Sequence, residues 1–176
     1  MPDIWLINGI PGSGKSTTAR ALAARLPKSA HIEGDKVHDL IISGSVPPGG
    51  KPAEEENAQI HLCVRNQCLL ARSFAQNGFT PMIDYVVVNQ ERVREYLGYL
   101  QGLSLHLVTL TPSPEVALAR DSSREKKGVA APWTFLDAII RKELSGTGLW
   151  IDNATMGLDA VVDHILANQS KASLIK

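Results

Sequence analysis

One segment constrains the fold of this chain more than any other: NGIPGSGKSTT, from Asn8 to Thr18. Gly9, Gly12, Gly14, Lys15 and Ser16 fit the pattern G-x-x-x-x-G-K-[ST] at every position. Glycines let backbone N–H groups curl round an anion with no Cβ in the way. Such a loop needs a strand to launch it and a helix N-terminus to close it. Both are present, as the apolar run DIWLI before the loop and the helical pattern KSTTARALAARL after it. Residues Gly9, Gly12, Ser13, Gly14, Lys15, Ser16 and Thr17 therefore form a candidate cradle for a phosphate chain. Lys15 supplies a point charge for the β- and γ-phosphates, and the Ser16 hydroxyl is a ligand for Mg²⁺.

Beyond the loop, apolar strand-like runs alternate with helical patterns, the mark of an α/β fold with a parallel sheet. The pattern predicts five strands, over residues 4–8, 30–33, 79–83, 105–110 and 149–151. It predicts helices over 15–26, 36–43, 53–76, 90–100, 114–121, 133–144 and 158–166. Pro27, Gly78 and the pair Ser113–Pro114 punctuate three of the boundaries. On the long third helix, Ala58, Leu62, Leu69, Leu70 and Phe74 make the expected core-facing stripe. Its other end, with Glu54–Glu56, Asn57, His61 and Arg65, is expected to face an acceptor. The chain of 176 residues is expected to form a single domain over 1–176, with a lid at about 121–133.

Ligands of open α/β sheets bind at the carboxyl ends of the strands, so the residues there are read together. The second strand leads into EGDKV, which carries Asp35. A carboxylate across the phosphates from Lys15 can take a proton from an attacking hydroxyl and hold its oxygen in line. Asp35 is equally suited to capping the helix that follows. Glu33, His38 and Asp39 are candidate lining for an acceptor pocket. The third strand ends in Asp84, a pattern that holds Mg²⁺ through its water shell, although a strand-end cap fits it too. Tyr85 follows, where many hydrolysing motors carry a glutamate. Arg120 and Arg124 lie four apart, so they share a face of a continuing helix, and Lys126, Lys127 and Gly128 follow. That stretch is either a cationic lid over the phosphates or a solvated face. The turn from Asp152 and Asn153 to Thr155 lies where a base pocket would form. No N-K-x-D guanine signature occurs, which weakens a GTPase timing role.

Composition removes other classes. Lys plus Arg equals Asp plus Glu at 18 each, so no global basic field draws the chain to nucleic acid or to an anionic membrane. No stretch approaches the ~18 apolar residues of a membrane span, and no signal peptide is apparent. Cys63 and Cys68, the only cysteines, are expected on different faces of one helix and unbridged. A reducing, cytoplasmic setting follows as the expectation. Lone histidines His31, His38 and His61 have no metal-ligand spacing and read as surface or hydrogen-bonded residues.

Taken in order, GIPGSGKST, EGDKV, MIDYVVV and TPSPEVALARDSSRE resemble the small P-loop kinases. The pattern is most similar to the chloramphenicol phosphotransferase-like group, with zeta toxins, gluconate kinases and tunicamycin-resistance P-loop proteins as cousins. The resemblance implies a three-layer P-loop kinase fold, a five-stranded parallel sheet flanked by helices with a small lid. It implies ATP and Mg²⁺ as cofactors and a small hydroxyl-bearing substrate as acceptor. Asp35 would then be the base, and Arg120 and Arg124 would contact the phosphates or flank the adenine. The DGFPR stretch of adenylate kinases is absent, which argues against a nucleoside monophosphate. Two other readings stay open: a polynucleotide 5′-hydroxyl kinase, disfavoured by zero net charge and few aromatics, and a nucleotide-binding regulator without phosphoryl transfer. Oligomeric state is left open.

Overall fold

The computed structural model describes residues 2–122 and 130–174. In chain order the elements are β1 (Ile4–Asn8), α1 (Lys15–Ala24), β2 (Ser29–Glu33), α2 (Gly34–His38), α3 (Ala53–Gln76), β3 (Thr80–Asp84), α4 (Gln90–Tyr99) and β4 (Leu105–Leu110). They continue with α5 (Pro114–Ser122), a short 3-10 turn (Ala131–Trp133), α6 (Leu136–Glu143), β5 (Leu149–Ile151), α7 (Leu158–Ala167) and α8 (Gln169–Ala172).

The five strands pair in the order β2-β3-β1-β4-β5, and every pairing is parallel. β1 and β4 are buried at every residue, as strands covered on both faces must be. Alternation along them feeds two cores. Ile4, Leu6, Ile32, Ile83, Leu105 and Leu107 pack toward α3 and α4. Trp5, Ile7, Met82, Val108 and Leu110 pack toward α1 and α7. Each fully buried aliphatic side chain contributes roughly 1.5–3 kcal/mol. β1 lies beside β3, so the loops after β1, β2 and β3 open at one end of the sheet.

Three expectations need correction. α2 covers Gly34–His38 rather than 36–43. Leu40 and Ile42 beyond it are 71% and 92% exposed, so a longer helix would have no apolar face to bury. On α3 the inward face is Cys63, Val64, Gln67, Cys68, Ala71 and Ala75, while Leu69, Leu70 and Phe74 are 59%, 42% and 37% exposed. Small residues let this helix lie close to the sheet, and bulk alone misassigns the face. Both cysteines point inward on that face and are free thiols. Among the described residues no helix is long and apolar enough to cross a membrane.

Candidate active site

The loop after β1 takes a shape that only glycine tolerates. Gly9, Gly12 and Gly14 have φ of +143°, +83° and +99°, and a Cβ on Gly12 would collide with the Ala117 carbonyl on α5. Gly14 is the N-cap of α1 and brings no side chain to it, so the helix N-terminus is directed at an anion site. Lys15 Nζ donates to the Ile10 carbonyl at 3.1 Å, which folds the side chain over the loop.

Ser16, in the first turn of α1, donates its hydroxyl to Asp84 Oδ1 at 3.1 Å. Asp84 ends β3 in a buried position. A hydroxyl and a carboxylate side by side are hard oxygen donors that fit Mg²⁺, which takes one or two protein ligands beside substrate phosphates. Among the described residues no cluster of three or more His, Cys, Asp or Glu would cage a metal on protein ligands alone. The second oxygen of Asp84 meets His31 Nε2. Arg20 on α1 donates to His31 Nδ1 at 3.4 Å and pairs with Glu33. Glu33 therefore faces α1 and not an acceptor pocket.

Asp35 lies on the other side of the strand ends. Glu33 occupies the N-cap of α2 and makes no side-chain cap bond, so Asp35 falls inside the first helical turn instead of capping it. The residue as a whole is exposed, and the partial burial of its carboxyl pushes it above the usual carboxylate range. Lys15 pulls in the opposite direction, Asp84 and Asp39 add to the rise, and His38 opposes it. Lys15 and Asp84 thus both act on Asp35 across the mouth of the loop. Beneath it, Gly34 leaves room for Tyr85 and Gln67, since a Cβ there would collide with the Tyr85 ring and sit 2.8 Å from Gln67 Nε2. Gln67 Nε2 donates to Cys63 Sγ at 3.1 Å, Tyr96 donates to Gln67 Oε1, and Cys63 donates to the Gly34 carbonyl at 3.4 Å. Burial raises the Tyr85 phenol well beyond its ordinary range. Farther out, Gln59 and Glu56 of α3 bind the backbone of Gly44, Val46 and Gly49, fastening the Pro/Gly loop to the helix. His61 pairs with Glu95 and Arg92 of α4.

A cavity of about 230 Å³ opens beside the cradle, lined by Gly14, Thr17, Arg120, Asn153, Met156 and Leu158 among others. Arg120 Nη2 donates to the carbonyls of Asn153 and Ala154 at 2.7 and 3.3 Å, and its Nη1 to that of Ser13 at 3.3 Å. It thereby ties α5 to the loop and to the turn after β5. Asn153 donates to the Ser13 carbonyl at 3.0 Å. Its Oδ1 is buried without a partner among the described residues. Asp152 is exposed and accepts from the Ala154 N–H, shaping the turn. Arg124, Lys126, Lys127 and Gly128 lie outside the described residues.

The sequence reading passed over two groups. His31 carries no local signal of its partner, and only strand register places it on the same sheet face as Glu33 and Asp84. Asn8, fully buried, accepts from the Val87 N–H at 2.8 Å and donates to Thr109 at 3.4 Å, which fixes the chain after Asp84.

No curated protein sequence matches the chain. Among solved structures, a tunicamycin resistance protein of Deinococcus radiodurans is 25% identical, with a TM-score of 0.69 over 98% of each chain. A sugar kinase from a Janibacter species is 18% identical, with a TM-score of 0.69 over 98% of this chain and 96% of that one. An APS kinase of Mycobacterium tuberculosis, solved in complex with AMPPNP and APS, is 14% identical with a TM-score of 0.70, over 96% of this chain and 98% of that one. The fold is that of the small P-loop kinases. A family model described as an AAA domain matches residues 4–142, and the chain belongs to that family, AAA_33.

Proposed function

We propose that the protein is an ATP-dependent phosphotransferase that moves the γ-phosphate of ATP to a hydroxyl of a small molecule. One observation carries the reading: the Asp35 carboxylate, just after β2, feels both the Lys15 ammonium and the Asp84 carboxylate, while the position after Asp84 holds a tyrosine whose proton stays on. Asp35 accepts the proton of the acceptor hydroxyl. Its raised affinity for that proton brings it nearer the range where a base works best. Lys15 neutralises charge building on the transferring group. Ser16 and Asp84 are the residues that would hold Mg²⁺, which would neutralise negative charge on the phosphates. Asn153 and Arg120 frame the cavity for the base, and Arg124 belongs to the lid that excludes water. One P–O bond forms to the acceptor and the bond to the β–γ bridging oxygen breaks. ADP leaves with that electron pair, and the proton passes through Asp35 to solvent.

The kinase relatives support this class of reaction, and the tunicamycin resistance protein supports including hydroxyl-bearing antibiotics among the acceptors tried. The test is ADP release from MgATP across a panel of sugars, sugar acids and hydroxylated antibiotics, with a 5′-hydroxyl oligonucleotide as a separate arm. Acceptor-dependent ADP release that disappears in Asp35→Asn is the expected result. Phosphorylation of the oligonucleotide alone would replace the small-molecule reading. Nucleotide binding with no transfer to any member would return the chain to a regulator.

A further inference from the structure

We propose that His31 is a positioning residue that holds the carboxylate of Asp84 in the orientation Mg²⁺ requires. The inference rests on the nucleotide site proposed above and concerns a residue outside the phosphate cradle. β2 and β3 run parallel with Glu33 opposite Asp84 and His31 opposite Met82, so His31, Glu33 and Asp84 share the sheet face beneath α1. On that face the two oxygens of Asp84 have divided duties. Oδ1 receives the Ser16 hydroxyl at 3.1 Å, and Oδ2 meets His31 Nε2. A carboxylate held at one oxygen cannot spin about its terminal torsion, so the other oxygen stays beside Ser16.

The ring itself is locked. Arg20 Nε donates to His31 Nδ1, and a guanidinium has no acceptor to offer in return. Nδ1 must therefore accept, which leaves the ring proton on Nε2, aimed at Asp84. Arg20 is anchored in turn by Glu33. The relay Glu33–Arg20–His31–Asp84–Ser16 starts on β2 and ends on α1, two elements fixed by the core. The imidazole side chain of His31 is 13% exposed and that of Asp84 6%, so water competes little for either. A histidine suits this post because one ring nitrogen meets Asp84 while the other accepts from Arg20. The cation of the relay stands one residue back, paired with Glu33. Partners of this kind behind a metal ligand typically change metal affinity by about 10–100-fold when removed.

The experiment measures binding of AMPPNP by calorimetry, with Mg²⁺ and with EDTA, beside a melting curve for each variant. In wild type, Mg²⁺ should tighten AMPPNP binding. In His31→Leu the Mg²⁺-dependent gain should shrink about tenfold or more, with affinity in EDTA unchanged within about twofold. His31→Gln keeps a donor of similar reach and should restore most of the gain. Arg20→Met keeps the ring but frees its tautomer, so it should fall between the two, and it carries the test if His31→Leu does not fold. Equal losses with and without Mg²⁺ would make His31 a structural support of the loop and overturn the proposal. So would a folded set of variants whose Mg²⁺ gain matches wild type. If wild type itself gains nothing from Mg²⁺, the proposed nucleotide site falls as well.

Discussion

The two faces of the sheet meet the site with opposite chemistry. Toward α1, the strand ends carry charged and polar groups bound to one another, from Glu33 through Arg20, His31 and Asp84 to Ser16. Toward α3, the residues after the strands, Gly34 and Tyr85, pack with Cys63 and Gln67 of α3 and Tyr96 of α4, and burial holds the ionisable members of this group in the neutral form. Asp35 sits at the rim of that second face. The first face suits a cation and a phosphate chain, which are the same whatever the acceptor. The second suits an uncharged hydroxyl group awaiting a base. The first is built from strands and a ten-residue helix, while the rim of the second, where Asp35 lies, is a five-residue helix beside a Pro/Gly loop fastened to α3. On the proposed reading, acceptor choice would reside at that less regular rim.

The contrast is broken most directly at Asp35. Asp35→Asn should lower transfer to the true acceptor by roughly 10²–10⁴-fold, the usual worth of a positioned base, while MgATP affinity holds or improves. If transfer persists at wild-type rate in the folded variant, the second face has no catalytic base and the mechanism is wrong. Lys15→Ala should strike the first face and cost transfer about 10²–10³-fold, by removing a charge aimed at the transferring group. Unlike Asp35→Asn it should also weaken MgATP binding, and equal nucleotide affinity in the two variants would erase the distinction between faces.

Smaller effects sharpen the picture. Gly34→Ala drives a methyl into the Tyr85 ring and against Gln67, so chemical denaturation should show a loss of about 1–3 kcal/mol, as overpacked sites do. The acceptor KM should suffer more than that for MgATP; the reverse order would place the acceptor elsewhere. The smallest effect is a pH dependence. Burial raises the Asp35 carboxyl in the folded chain, so the folded state holds that proton more tightly than the unfolded one, and ionisation favours unfolding. The penalty is absent below the unfolded value of about 3.8, grows as pH rises, and is complete above the folded value. Asp35→Asn should therefore melt at or above wild type at pH 7, with the gap closing in acid. A variant that melts early at neutral pH would make Asp35 a structural support.

Much of the first face was legible in the sequence. The loop motif is local, and the apolar run before Asp84 announces a strand with an acid at its end. The relay behind Asp84 was not, because His31 and Asp84 are 53 positions apart and meet only through strand register. The second face was harder still. Reading α3 by bulk chose Leu69, Leu70 and Phe74 for the core, whereas closeness to the sheet selects Cys63, Cys68 and Ala71. Gln67 reads as a surface residue until Tyr96 and Cys63 are seen to satisfy it. The length of α2 depended on whether Leu40 and Ile42 find a surface to cover, which no local pattern records.

The two thiols of α3 also make the molecule its own stopwatch. Alkylation proceeds through the thiolate, and burial pushes the Cys68 thiol up to about 12 and raises that of Cys63. Neither should be modified at a useful rate until the protein opens. Cys63 is bound to the Gly34 carbonyl at the wall proposed for the acceptor, so a local excursion of that wall would expose it, whereas Cys68 would wait for α3 to leave the sheet. Timed labelling would then record two openings of different depth. A compound that seats against the wall would slow the first clock at concentrations that leave the second unchanged, whether or not it is ever phosphorylated.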